Sequence, residues 1–146
     1  MAALAAAPAD RIDIGARRIA NEPLLRPGKG WTELALFNPA AIRVGNKTAL
    51  LFRAQDRNHV SRIGYAESTD GVHFTVRPEP VLSPEADYEK GGGVEDPRVV
   101  RIHGTYYLTY TAYNLRDAQL CLATSNDLIH WKRHGVILPA YRGTWN

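Results

Sequence analysis

The segment Glu89 to Asn114 reads EKGGGVEDPRVVRIHGTYYLTYTAYN. Three glycines, Gly91 to Gly93, precede Glu95, Asp96, Pro97 and Arg98, and a run rich in tyrosine and threonine follows. The proline ring locks φ and fixes the backbone beside Asp96. A carboxylate so held, with a guanidinium two residues on, is suited to general acid or base chemistry. The glycines admit positive φ and the close approach of a ligand to the backbone. The competing reading is a structural ion pair between Asp96 and Arg98 that closes the turn, and local features weigh the two evenly. Arg53 ends the apolar run ALLFR. A guanidinium there is either paired, with Asp56 the obvious partner, or aimed at an anion. Tyr113, Asn114 and Trp145 could stack on and hydrogen-bond a sugar, although tyrosines are common in sheets.

The elements that must position these groups repeat. Asn38 to Asp56, NPAAIRVGNKTALLFRAQD, aligns with Asp96 to Asn114, DPRVVRIHGTYYLTYTAYN, at an offset of 58. Arg62 to Thr75, RIGYAESTDGVHFT, aligns with Gln119 to Lys132, QLCLATSNDLIHWK, at an offset of 57. Each unit reads as an X-Pro start, a strand, a tight turn and a second strand. A polar loop, a third strand, an S-x-D-x-x-H-[FW] turn and a fourth strand follow. In TYYLTYTAY the alternation puts Tyr106, Leu108 and Tyr110 on one face and Tyr107, Thr109 and Thr111 on the other. Bulk on both faces predicts a sheet sandwiched between neighbours. No amphipathic helix is predicted after residue 30.

Four short strands at such a period predict an all-β fold of β-propeller blades. Two blades are present, over about 31–88 and 89–146, behind an N-terminal extension, 1–30, expected to be partly flexible. Two blades do not close a propeller, which needs roughly four. The first strand of a blade lies nearest the axis, so Asn38 and Asp96 are expected to face one axial pocket. The repeated Asp70 and Asp127 read as turn formers, and His73 and His130 as structural rather than catalytic or metal-binding. No residues show metal-ligand spacing.

Bulk properties narrow the function. The 146 residues carry a net charge of +3 with no dense basic cluster, which argues against nucleic acid. No apolar run approaches a membrane span, and the alanine-rich start lacks the basic region of a secretory signal. The single cysteine, Cys121, lies in an apolar run and reads as a buried hydrophobe. A reducing cytoplasm suits it.

The segments FNPAAI, LLFRAQDR, GYAESTDGVHF, GGGVEDPRVVRIHGTYYLTYTAYN and LATSNDLIHW resemble glycoside hydrolase family 130, from about Trp31 to Asn146. The resemblance implies a five-bladed β-propeller and a glycoside phosphorylase, or else a hydrolase, acting on β-mannosides. It implies Asp96 as proton donor, relayed through a hydroxyl of the bound mannosyl unit. Inorganic phosphate, the co-substrate, would attack with inversion and release α-mannose 1-phosphate. Asn38, Arg53 and Asp56 match positions lining the mannosyl pocket. Glu95, Arg98 and Tyr113 are further candidates for substrate contact, and Arg142 for phosphate. No cofactor is implied. Members of that family have further blades, so the chain is expected to be a truncated, weakly active or inactive form with open edges, and a possible homo-oligomer. A non-catalytic carbohydrate-binding module, or a neighbouring arabinanase or fructosidase family with similar D-P motifs, are the alternatives.

Overall fold

The computed structural model describes residues 15–141 and 143. Arg142 and Trp145 lie outside the described residues. Among the described residues the chain forms eight strands. They are β1 (Ala35–Val44), β2 (Lys47–Gln55), β3 (Ser61–Ser68) and β4 (Thr75–Val76), then β5 (Gly93–Ile102), β6 (Thr105–Tyr113), β7 (Ala118–Ser125) and β8 (Lys132–Val136). Each group of four is an antiparallel meander. One parallel pairing, Ser61 with Gly93, joins the third strand of the first blade to the innermost strand of the second. The fold is all-β, two blades of a propeller.

Two-residue turns close the inner hairpins. Gly45 (φ 58°) begins the β1–β2 turn, and His103 (φ 47°) and Gly104 (φ 90°) make the β5–β6 turn. Such φ signs suit the primed turns that match strand twist. The S-x-D motifs form hydrogen-bonded turns in both blades. Asp70 Oδ1 accepts the N–H groups of Val72 and His73 at 2.9 and 2.8 Å, and Asp127 Oδ1 accepts those of Ile129 and His130 at the same distances. His73 and His130 each place Nδ1 2.7 Å from the aspartate Oδ2. Hydrogen bonds from these histidines are the first cause that lowers both carboxyls below the usual range.

The main core lies between the blades. Ala49, Leu51 and Ile63 of the first meet Val94, Leu108, Tyr110 and Cys121 of the second. The other face of the first blade, Leu50 and Phe52, is covered by Leu25 and Trp31. Trp31 stacks on Phe52 at 6.2 Å and donates its indole N–H to the Pro78 carbonyl at 2.8 Å.

The connection between blades is pinned by a buried carboxylate. Glu89 has no exposed surface. Its Oε1 accepts from the Tyr110 hydroxyl at 2.8 Å and Arg133 at 2.7 Å, and its Oε2 accepts the N–H groups of Glu85 and Ala86 at 2.8 and 3.1 Å. Four partners satisfy a charge that would otherwise be too costly to bury.

Candidate active site

The two X-Pro pairs do not start their strands. They sit inside β1 and β5 at matching bulges, where register breaks between Phe37 and Ala40 and between Glu95 and Arg98. A proline inside a strand needs a bulge or an edge, because it offers no N–H to the ladder. β1 supplies both, and β5 supplies the bulge, past its one pairing with β3 at Gly93. Asn38 and Asp96 take φ of 47° and 49°. Among non-glycine residues, Asn and Asp best tolerate that region. Each bulge thereby re-aims one polar side chain.

The bulges bring the expected residues together across the blades. Asn38 donates Nδ2–H to Asp96 Oδ1 at 2.8 Å. Arg53 donates from NH1 to the same oxygen at 3.3 Å and from NH2 to Glu95 Oε1 at 2.6 Å. Asp96 Oδ2 takes no hydrogen bond among the described residues. The Arg53 guanidinium also lies 4.5 Å over the Phe37 ring. Side-chain exposure is 15% for Arg53, 12% for Glu95 and 8% for Asp96, so these charges are largely withdrawn from water. Burial pushes the Glu95 carboxyl up, against the opposing pull of Arg53 and Ser61.

Three local expectations are corrected. Arg53 pairs with Glu95 and Asp96, while Asp56 pairs with Arg62 at 2.7 Å. Asp56 Oδ1 also accepts the N–H groups of Asn58 and Val60 at 2.9 and 3.1 Å, which closes the β2–β3 turn. Arg98 forms no ion pair with Asp96; its guanidinium donates to the Pro97 carbonyl at 2.9 Å. The space the glycines leave is filled by the chain itself. A Cβ on Gly93 (φ 114°) would lie 2.2 Å from the Ser61 carbonyl oxygen, and one on Gly92 would lie 2.2 Å from the Tyr113 ring. Tyr113 is thus packed over Gly92 at the end of β6.

Ser61 was not legible as a site residue. It is fully buried, accepts from Arg53 Nε at 3.0 Å and donates to Glu95 Oε1 at 3.0 Å. The one available signal was its place at the head of β3, where the blades meet. Among the described residues no group of three or more His, Cys, Asp or Glu side chains is placed to hold a metal.

A carboxylate with one oxygen clamped and the other without a hydrogen bond among the described residues, on an innermost propeller strand, suits proton transfer to a bound ligand. Comparison with known proteins identifies the family. Residues 16–144 match the glycoside hydrolase family 130 described as beta-1,4-mannooligosaccharide phosphorylase. A 1,2-beta-oligomannan phosphorylase of Thermoanaerobacter sp. (strain X514) is 41% identical over 84% of this chain and 45% of its own length. A beta-1,2-mannobiose phosphorylase of the same organism is 39% identical over 83% of this chain and 46% of its own. The chain therefore spans about half the length of these curated relatives. A solved structure reported with the finding that this family of mannoside phosphorylases contains hydrolases targeting β-1,2 mannosidic linkages in Candida mannan superposes with a TM-score of 0.70. It is 40% identical and covers 76% of this chain and 34% of its own. With matching motifs, blades and relatives, the chain belongs to glycoside hydrolase family 130.

Proposed function

We propose that this chain supplies the proton donor and part of the mannosyl pocket of an inverting β-mannoside phosphorylase. The observation that carries the reading is Asp96 on its bulge, with Oδ1 held by Asn38 and Arg53 and Oδ2 taking no hydrogen bond among the described residues. In the proposed reaction the bond from the anomeric carbon to the leaving oxygen breaks. That oxygen takes the proton that Asp96 releases, directly or through a sugar hydroxyl. A phosphate oxygen bonds to the anomeric carbon from the opposite face, giving α-mannose 1-phosphate, and Asp96 regains a proton from solvent. Phosphate is already an anionic nucleophile, so cations that hold it take the place of a second carboxylate. Arg142 is the proposed phosphate contact within this chain. Asn38, Arg53, Asp56, Arg98 and Tyr113 are proposed to bound the mannosyl unit.

The β-1,2 linkage is favoured for the substrate, because the relatives that are 41% and 39% identical are named for it. Hydrolysis is the second reading, favoured by the finding reported with the 40% identical structure. Two blades wall only part of an axial pocket, so the 146 residues alone are proposed to be weakly active or inactive.

The test uses a protein that carries this chain together with the further blades. β-1,2-Mannobiose with inorganic phosphate is expected to yield mannose 1-phosphate. Asp96→Asn is expected to lower kcat by about 100- to 10,000-fold. Full activity in that variant would sink the role of Asp96. Release of free mannose independent of phosphate would select hydrolysis.

A further inference from the structure

We propose that Glu95 and Ser61 are positioning residues that draw most of the Arg53 guanidinium to themselves and leave Asp96 one long contact with it, so that Asp96 keeps the proton it must donate. The inference rests on Asp96 being the proton donor. Arg53 shares itself unequally: 2.6 Å to Glu95 Oε1, 3.0 Å to Ser61 Oγ and 3.3 Å to Asp96 Oδ1. Ser61 in turn donates to the same Glu95 oxygen at 3.0 Å. Arg53, Glu95 and Ser61 therefore form a closed triangle, with Asp96 at its margin.

The consequence follows from acid–base physics. A guanidinium in full contact with a carboxyl favours its ionised form. A general acid so treated has lost the proton it needs. Glu95 absorbs the cation instead, while Asn38 fixes the Asp96 side chain without adding charge. The hydroxyl that completes the triangle is anchored by the joint between blades. Ser61 N–H donates to the Gly92 carbonyl at 2.8 Å, and its residue pairs with Gly93. Glu95 is on this reading a holder of Arg53 rather than a substrate contact.

Among the described residues, the other charged groups around the bulge leave this balance to Arg53 and Glu95. From β3, Arg62 is held by Asp56 at 2.7 Å. On β5, Arg98 turns to the Pro97 carbonyl. On β6, Thr111 and Thr109 flank the bulge, and the hydroxyl of Tyr110 between them goes to Glu89. β1 contributes the neutral Asn38.

Two substitutions in the protein with its further blades separate charge from placement. Glu95→Gln removes the competing charge and keeps the shape. Ser61→Ala keeps the charge and removes the anchor. The alkaline limb of the pH dependence of kcat/KM is expected to move to lower pH by about one pH unit or more in Glu95→Gln. A smaller move in the same direction is expected in Ser61→Ala, with kcat changing more than KM. Crystal structures of both should show Arg53 NH1 closer to Asp96 than 3.3 Å. Unmoved limbs in both variants would overturn the inference. So would a shift in Glu95→Gln alone with Arg53 in place, since that is bare charge. Should Glu95→Gln fail to fold, Ser61→Ala decides. Asp96→Asn separates the two levels: retained activity there defeats the site reading itself, whereas its loss with unmoved limbs defeats only the positioning role.

Discussion

Asp96 could be singled out from spacing because proline, acid and arginine stood together in one short run. Its partners could not. Arg53 and Glu95 lie far apart in sequence and meet only where the two blades join, while Asp56, three residues from Arg53, was the nearer guess. Local spacing favours near partners, but successive side chains on a strand point to opposite faces, so nearness in sequence does not bring them together. Glu89 escaped notice for a related reason: beside the triple glycine it reads as part of a polar turn. In the fold it is fully buried with four hydrogen-bond partners. Removing one side of a buried ion pair strands the other, so Glu89→Ala should cost about 3–5 kcal/mol. Urea unfolding followed by tryptophan fluorescence measures this; a loss under about 1 kcal/mol would mean that Arg133 finds water.

At the scale of elements, the repeat made the strand order legible. Primed turns at Gly45 and at His103–Gly104, and the S-x-D turns, are local devices, so the sequence carries them openly. The bulges were only half legible. An X-Pro pair reads as the start of a strand, since proline suits that place. Pairing continues upstream of it here because the bulge takes the proline out of the ladder, so the missing donor costs little. The glycines show the same limit. Their need for space was evident, but what fills that space is the backbone of another blade. Gly93→Ala places a Cβ 2.2 Å from the Ser61 carbonyl at a φ of 114°. Because neither backbone can yield without parting the blades, a destabilisation of about 3 kcal/mol or more is expected in thermal or urea melts. A melt unchanged from the parent would show that the joint is loose.

For the whole molecule, blade number and sheet class were readable, because a period near 57 residues with four strands admits few folds. How the blades face each other was not, because both sheet faces are bulky. The structure settles it by pairing Leu51 and Ile63 with Tyr110 and Leu108. The opposite face of the second blade carries Val100 and Ile102, 55% and 49% exposed, near the register partners Tyr107 and Thr105. An apolar strand face of this kind invites association. The 146-residue chain is expected to sediment as concentration-dependent oligomers, and Val100→Lys with Ile102→Lys to shift it toward monomer. A parent chain that stays monomeric at high micromolar concentration would refute this expectation.

Asn38 and Asp96 occupy the same bulge in successive copies of one unit, with nearly the same backbone angle, and they touch. The two side chains differ by a single exchange of an amide nitrogen for an oxygen. Duplication alone would give two identical groups facing each other: two acids would repel when both are ionised, and two amides would carry no ionisable proton. Breaking the symmetry at one atom turns the pair into a donor and an acceptor. At this contact the two blades thus differ by one heavy atom: the first gives the hydrogen bond and the second receives it.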